Sequence, residues 1–459
     1  MRRKLGPIAF FLLLLAMLVE CASAQETPQR LTLKDAIDLA LKHDVNVLVS
    51  ATEIHEAEGA RTRSLAALLP HASASSLANL LKNNLSIEGL SLPGIPTAVG
   101  PFAYYDFRVF ASQDVIDRQA LHNWKASARQ EEAARLSYQD IRDLIVREAA
   151  GFYLQSETAA AEVAAAASRV ETSRALEKLA KDQHDEGLAT AIDVVRSQVQ
   201  LARDQQALLV AQNNYQASLL VLARFLGVSL GTTYEPAEKL EFRHIDAPDV
   251  DQALPAALGA RDDYRSLLNQ QQSLIEQEKA SHARYFPTLA INGNYGTAGR
   301  NFGTMPTSGG IEGILSVTIF DRDRSGEKQE LESRAERLKV QTDDLARGVE
   351  QDLRKAILDI HSSEQQVSVT QAALGLAQRE LALAEDRFRN GVTDNIEVIT
   401  AQDALARAQD DRIAAIAQNA DARAALARAL GATEKNYQIY LGPADPRSGA
   451  DSRKEMKVP

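Results

Sequence analysis

The sequence is poor in the residues that cross-link chains, bind metals or fill bulky cores. Among 459 residues there is one cysteine, Cys21, which excludes a disulfide framework and a thiolate metal cluster. The eight histidines (43, 55, 71, 122, 184, 244, 282 and 361) include no pair at zinc-binding spacing. Four methionines are too few for a metal-binding methionine cluster. No phosphate-binding loop and no G-x-S-x-G elbow occurs, so neither enzyme chemistry nor a cofactor is expected. Positive charge is also short. With 51 Lys+Arg against 62 Asp+Glu the net charge is -11, and no basic cluster follows the first four residues, which argues against a nucleic-acid partner. Aromatics make up only 5%, while alanine is abundant, a balance that suits long helices in close contact.

The one long apolar run lies at the start. MRRK is a basic segment, Leu5 to Val19 is apolar, and Ala22-Ser23-Ala24 is a small-residue cleavage site before Gln25, so residues 1–24 read as a secretory signal peptide. A membrane span would need about 20 unbroken apolar residues, and Pro7 and Glu20 cut this run short. Cys21 raises lipidation, but Glu20 stands where a lipidation signal wants a small residue. The chain is therefore expected to be exported.

What remains is written twice. Shifted by 204, residues 187–227 fall on 391–431 without a gap and with 14 identities in 41 positions. Gly187 meets Gly391, Ile192-Asp193-Val194 meets Ile396-Glu397-Val398, and Leu222-Ala223-Arg224 meets Leu426-Ala427-Arg428. Nearer the start the offset is 217, pairing Ala36, Ala40, Leu41 and Pro70 with Ala253, Ala257, Leu258 and Pro287. The chain thus divides into a first repeat at 25–228, a linker at 229–248, a second repeat at 249–432 and a tail at 433–459.

Proline is absent from 102–235 and from 307–442, and helices can fill both stretches. Residues 119–185 and 323–389 read as continuous helices, each about 100 Å long at 1.5 Å per residue. Gly187 and Gly391 fit positions just past a helix end. Thr190-x-x-Asp193 and Asp394-x-x-Glu397 then read as capping boxes that start the next helix. Each repeat is expected to hold a short helix, a β-hairpin (about 71–117 and 288–321) and a long helical hairpin (119–227 and 323–431).

In the second hairpin Leu289, Ile291, Gly293 and Tyr295 alternate with polar or small residues, as do Leu315, Val317 and Ile319. In the first, Tyr105, Phe107 and Val109 alternate with Asp106 and Arg108, with a weaker partner in 71–88. Alternation over about ten residues marks a membrane β-barrel strand, and equally a half-buried soluble hairpin. Counting goes further than pattern. Outer-membrane barrels start at about eight strands and tolerate no open edge in lipid, so four strands per chain could span a membrane only if several chains share one barrel.

With these elements in order, the sequence resembles the TolC-type outer membrane efflux proteins. Leu31-Thr32-Leu33-Lys34-Asp35-Ala36 through Leu41 resembles the family's opening helix, and Leu69-Pro70 and Phe286-Pro287 its step into each strand hairpin. Ile319-Phe320-Asp321-Arg322 resembles its strand-to-helix corner, and Arg387-Phe388-Arg389-Asn390-Gly391 with Ile396-Glu397-Val398-Ile399 and Gln402 its most specific helix-turn-helix signature. The likeness covers about 31–432.

The resemblance implies a mainly α fold with membrane β: duplicated helical hairpins forming an α-barrel, and four strands per chain contributing to a trimeric twelve-stranded β-barrel. It implies a homotrimer in outer membrane lipid that extends through the periplasm. On this resemblance it would act as a passive exit duct for a tripartite efflux pump or a type I secretion system, with a periplasmic adaptor (membrane fusion) protein and an inner-membrane pump of RND or ABC type as partners. The turns formed by Gly187, Leu188, Ala189 and Thr190 and by Gly391, Val392, Thr393 and Asp394 would meet the adaptor. Glu397 matches one position of the family's acidic entrance ring, Asp193 is its repeat-mate, and Phe388 keeps the aromatic of the gate without a hydroxyl. Thr400 replaces the family's second acidic residue, and Thr393 stands where members with a polar latch carry arginine.

Two competing readings have sequence support. Glu397 and Asp193 can serve as helix caps with no gating role, and Asp321-x-Asp323-x-Ser325-Gly326 with Glu332 has calcium-loop spacing. That loop follows the strand expected at Val317–Phe320 rather than a helix, and its repeat-mate has lost the ligands. At the level of the whole chain, a soluble periplasmic coiled-coil scaffold or adaptor is the alternative. It leaves unexplained why both repeats place a strand pair between the short helix and the long hairpin.

Overall fold

The computed structural model describes residues 29–89, 94, 96–231, 234–431 and 433–442. The signal peptide read at 1–24 lies outside them, as does the tail from 443. In the first repeat β1 (Gln29–Leu31) leads into helices α1 (Leu33–His43) and α2 (Val45–Ala66), and strands β2 (His71–Asn84) and β3 (Ala98–Ile116) follow. Two long helices, α3 (Arg118–Asp185) and α4 (Ala191–Phe225), complete it. After β4 (Tyr234–Pro236) the order recurs as α5 (Val250–Ala260), α6 (Asp262–Ala283), β5 (Thr288–Gly299), β6 (Thr307–Ser316), α7 (Asp323–Arg389) and α8 (Asn395–Ala429). The residues expected as a polar tail open with a further helix, α9 (Thr433–Leu441). The fold is mainly helical and duplicated, as the repeat implied.

Three local differences have physical causes. The expected single short helix is two in each repeat. Asp44 ends α1 with an extended backbone and starts α2 by accepting the Asn46 N–H at 2.8 Å, and Arg261 makes the equivalent break. Two strands went unread, because β1 and β4 are three residues long and pair in parallel with each other, too short to show alternation. The expected strand over Val317–Phe320 is not one, since β6 ends at Ser316. Ile319 and Phe320 there are 91% and 81% exposed, so alternation continued where pairing had stopped.

The described backbone forms two compact units. One contains Val49–Asp140 and Asp262–Gly348 and carries an antiparallel sheet in the order β2-β3-β5-β6. Beside the sheet, α6 packs on α3 through small residues at seven-residue spacing. The Ser266 hydroxyl donates to the Ala133 carbonyl and that of Ser273 to the Ala126 carbonyl, both at 2.9 Å. Ala126 and Ala133 are buried, so backbones approach closely enough for hydroxyl-to-carbonyl bonds, the use expected of alanine and serine at a helix seam.

The other unit contains the residues up to Leu48, Ile141–Arg261 and those from Val349. Its core is alanine- and leucine-rich. Leu353, Ala356, Ile357 and Ile360 of α7 meet Ala422, Leu426 and Ala429 of α8 and Ala253 of α5. A polar strap crosses it: Tyr153 donates to the Glu238 carboxylate, and Glu238 accepts the Leu33 N–H at the start of α1 at 3.0 Å. Helix α9 is tied to α3 at its N-terminus, where Asp143 accepts the Glu434 N–H at 2.8 Å, a carboxylate at the positive end of a helix.

Candidate functional site

The residues singled out from the sequence fall into two turns, 187–190 between α3 and α4 and 391–394 between α7 and α8. Both helix ends close the same way. The Leu188 N–H reaches back to Gln183 O at 2.8 Å and the Gly187 N–H to His184 O at 2.9 Å, while Val392 and Gly391 do the same to Arg387 O and Phe388 O at 2.9 and 3.0 Å. This is the pattern of a left-handed helix end, and Gly187 and Gly391 adopt φ of +76° and +68°.

The next helices start differently. Thr190 caps α4 as read: its N–H donates to Asp193 Oδ2 at 3.1 Å and its hydroxyl donates to the same oxygen at 2.6 Å. At α8 Asp394 accepts the Ile396 N–H at 3.2 Å, but Glu397 does not complete a reciprocal box. Its carboxylate lies 3.6 Å from the Arg387 guanidinium, with the side chain 40% exposed. Glu397 therefore faces solvent, whereas Asp193 is buried. Phe388 is 2% exposed, packed among Leu176, Ala180, Leu381, Ala384, Val398 and Ala401. It packs with residues of three helices, α3, α7 and α8.

Three side chains not singled out from the sequence join the two turns. Gln183 Nε2 donates to the carbonyls of Phe388 and Arg389 at 3.0 and 3.2 Å. Asn395, fully buried, donates to the Asp193 carbonyl at 2.6 Å. Arg196 lies 3.6 Å from Asp193 and 4.0 Å from Asp394, whereas Arg387 holds Glu397 within the second hairpin. These residues sit where the repeats disagree: Gln183 corresponds to Arg387, Ala191 to Asn395 and Arg196 to Thr400. Identity between repeats marks the shared scaffold, so the divergent positions at the turns were the available signal. Around them, apolar residues at matched positions stay exposed: Leu188 and Val392 at 65% and 66%, Ile192 and Ile396 at 56% and 45%.

The sheet is amphipathic across all four strands. Directly paired residues share a face, and Ala74, Val109, Tyr295 and Gly309 form one such row. Ala72, Ala111, Gly293 and Ile311 form another, with Leu289 paired to Leu315. Tyr295, Ile311 and Leu315 on this apolar face are open to the outside. The opposite face carries a polar network, beside Leu77, Phe110 and Ile314. Arg108 donates to Asp106 at 2.9 Å, to Asn294 at 3.1 Å and to Ser308 at 3.2 Å, linking β3, β5 and β6. Strands β2 and β6 are the sheet's edges. Among the described residues, no helix is long and apolar enough to cross a membrane.

The calcium-loop spacing resolves into an ion-pair cluster. Arg284 lies 3.4 Å from each of Asp321, Asp323 and Glu327, and among the described residues no group of acidic, histidine or cysteine side chains is placed to hold a metal.

Comparison with known proteins agrees with this architecture. A family model described as outer membrane efflux protein matches residues 36–228 and 253–432. The pyoverdine export outer membrane protein OpmQ of Pseudomonas putida is 23% identical over 334 residues, 71% of this chain and 70% of that one. OpmQ of Pseudomonas aeruginosa is 22% identical over 422 residues, covering 87% and 85%. The Campylobacter jejuni CmeC outer membrane channel superposes with a TM-score of 0.75 over 92% of each chain, at 14% identity.

Proposed function

The chain belongs to the outer membrane efflux protein family, and from that premise we propose that three copies form a passive exit duct through the outer membrane. The amphipathic four-stranded sheet with two open edges is the observation that carries this reading. An exposed apolar face suits lipid, and a polar face crossed by the Arg108 network suits a water-filled lumen. Unpaired edges in lipid are untenable, so β6 of one copy pairs with β2 of the next, and three copies close a twelve-stranded barrel.

The long helices then continue the duct toward a periplasmic adaptor and an inner-membrane pump of RND or ABC type, in efflux or type I secretion. The turns at 187–190 and 391–394 are the adaptor contact, supported by the exposed pairs Leu188/Val392 and Ile192/Ile396. Glu397, solvent-facing beside Arg387, lines the entrance as a threefold acidic ring, which attracts cations. Asp193 holds the turn through its cap and Phe388 through its packing, so both support the gate from behind. Pyoverdine, the cargo named for the OpmQ relatives, is the first compound to try in export assays.

Reconstitution of the detergent-extracted protein into planar bilayers tests the duct. Cation-selective channels are expected. Protein released from membranes by carbonate, with no conductance, would instead indicate a soluble periplasmic scaffold.

A further inference from the structure

Where the sheet meets the helices, an open groove of about 370 Å³ lies between the first turns of α3 and the last turns of α6. Its wall on α3 is Arg118 and His122, one turn apart. Its wall on α6 includes Ile275, Glu278 and Lys279, with Phe286 just beyond the helix. The position is fixed by register: Ile116 pairs with Leu289, and Arg118 and Phe286 stand two or three residues outside that last rung.

The polar groups of the groove sort by what already satisfies them. Glu276, behind the groove, engages two of its lining residues, Lys279 at 2.6 Å and His122 at 2.8 Å. Burial works to raise its carboxyl, but these two bonds prevail and hold it below its ordinary range. Arg118 stacks its guanidinium 4.5 Å from the centre of the Phe286 ring, an arrangement that orients the cation without neutralising it. Among the described residues neither Arg118 nor Glu278 has an ionic partner. With Lys279 and His122 engaged by Glu276 and His282 by Arg324, the groove presents Arg118 and Glu278 as its ionically unpartnered side chains, beside Ile275 and Phe286, which are 43% and 47% exposed.

We propose that this groove binds the headgroup of a zwitterionic phospholipid bearing a primary ammonium, with the phosphate on Arg118, the ammonium on Glu278 and the first acyl carbons on Phe286 and Ile275. This rests on the reading that the sheet spans the outer membrane, which places this end of β3 and β5 at the headgroup level. A guanidinium is matched to phosphate oxygens. A carboxylate distinguishes an ammonium that can donate hydrogen bonds from a quaternary one that cannot, and from an uncharged glycerol.

The test is native mass spectrometry of the lipid-stripped, detergent-solubilised full-length protein titrated with dioleoyl phosphatidylethanolamine, phosphatidylglycerol or phosphatidylcholine. Retention of phosphatidylethanolamine over the other two is expected. Arg118→Gln should weaken it at least tenfold, and Glu278→Gln should abolish the preference over phosphatidylglycerol while leaving phosphate binding. The same spectra report whether each variant assembles like the parent. Equal retention of the three lipids, or of phosphatidylethanolamine by parent and Arg118→Gln, would overturn the site. So would acyl-free glycerophosphoethanolamine competing as well as the lipid, since the membrane would then not be the source. Carbonate extraction separates the premise: an integral protein without lipid preference refutes only the groove, whereas protein released by carbonate refutes the barrel and the lipid site together.

Discussion

Glu157 shows how a single buried residue makes the stability of this protein depend on pH. It is 6% exposed, and burial first, then the Glu238 charge, push its carboxyl up to about 7 against the outward pull of Arg423. Its ordinary value is 4.5. A raised carboxyl binds its proton more tightly in the folded state, so its contribution is fully present below 4.5 and is lost as pH rises through about 7. At 1.36 kcal/mol per pKa unit this amounts to about 3 kcal/mol at most. Urea unfolding between pH 4.5 and 8 should show that decline, and Glu157→Gln should flatten it and be the more stable protein at pH 8. An unaltered slope in the variant would mean that Glu157 does not carry the effect. Glu397 offers a functional counterpart at the same scale. Removing it by Glu397→Ala would delete the proposed acidic ring and leave Arg387 without that partner, so cation selectivity in planar bilayers should fall. Unchanged selectivity and conductance would leave Glu397 out of the entrance.

At the level of elements, the two turns are alike in backbone and unlike in side chains. A Cβ added at Gly187 or Gly391 would meet nothing within 4 Å, so substitution by alanine carries only the left-handed backbone penalty, about 1–2 kcal/mol. Each Gly→Ala variant should lose that much in urea, and Gly→Asn distinctly less, because asparagine tolerates this region better. Equal losses for alanine and asparagine would point to a contact rather than to φ. These turns also show what the sequence makes legible. Long proline-free stretches, paired glycines and a repeated register locate the helices and their ends, because helix propagation and termination are local. The links through Gln183, Asn395 and Arg196 were not readable, because each depends on which carbonyl or carboxylate the partner hairpin brings close. Phe388 illustrates the same limit: family likeness suggests a gate residue, but its burial among residues of α3, α7 and α8 depends on helices distant in the sequence. The short pair β1 and β4 was invisible for a related reason, since three residues give no period to detect.

At the scale of the whole molecule, the sheet is the decisive element. The pairing of β3 with β5 puts Tyr105, Phe107 and Val109 on the same face as Leu289, Ile291 and Tyr295. Pattern alone fitted a soluble hairpin as well. What favours a barrel is that Val109, Tyr295, Ile311 and Leu315 are exposed on one face, while Arg108, Asp106, Asn294 and Ser308 form a polar network on the other, beside Leu77, Phe110 and Ile314. Two free edges then demand partners, and a closed ring of copies supplies them with a single kind of contact. The most direct measurement is the protein mass of the detergent-extracted particle, by light scattering corrected for bound detergent. Three chains per particle is the result this account predicts. A monomer or dimer that stays in solution without detergent would contradict it.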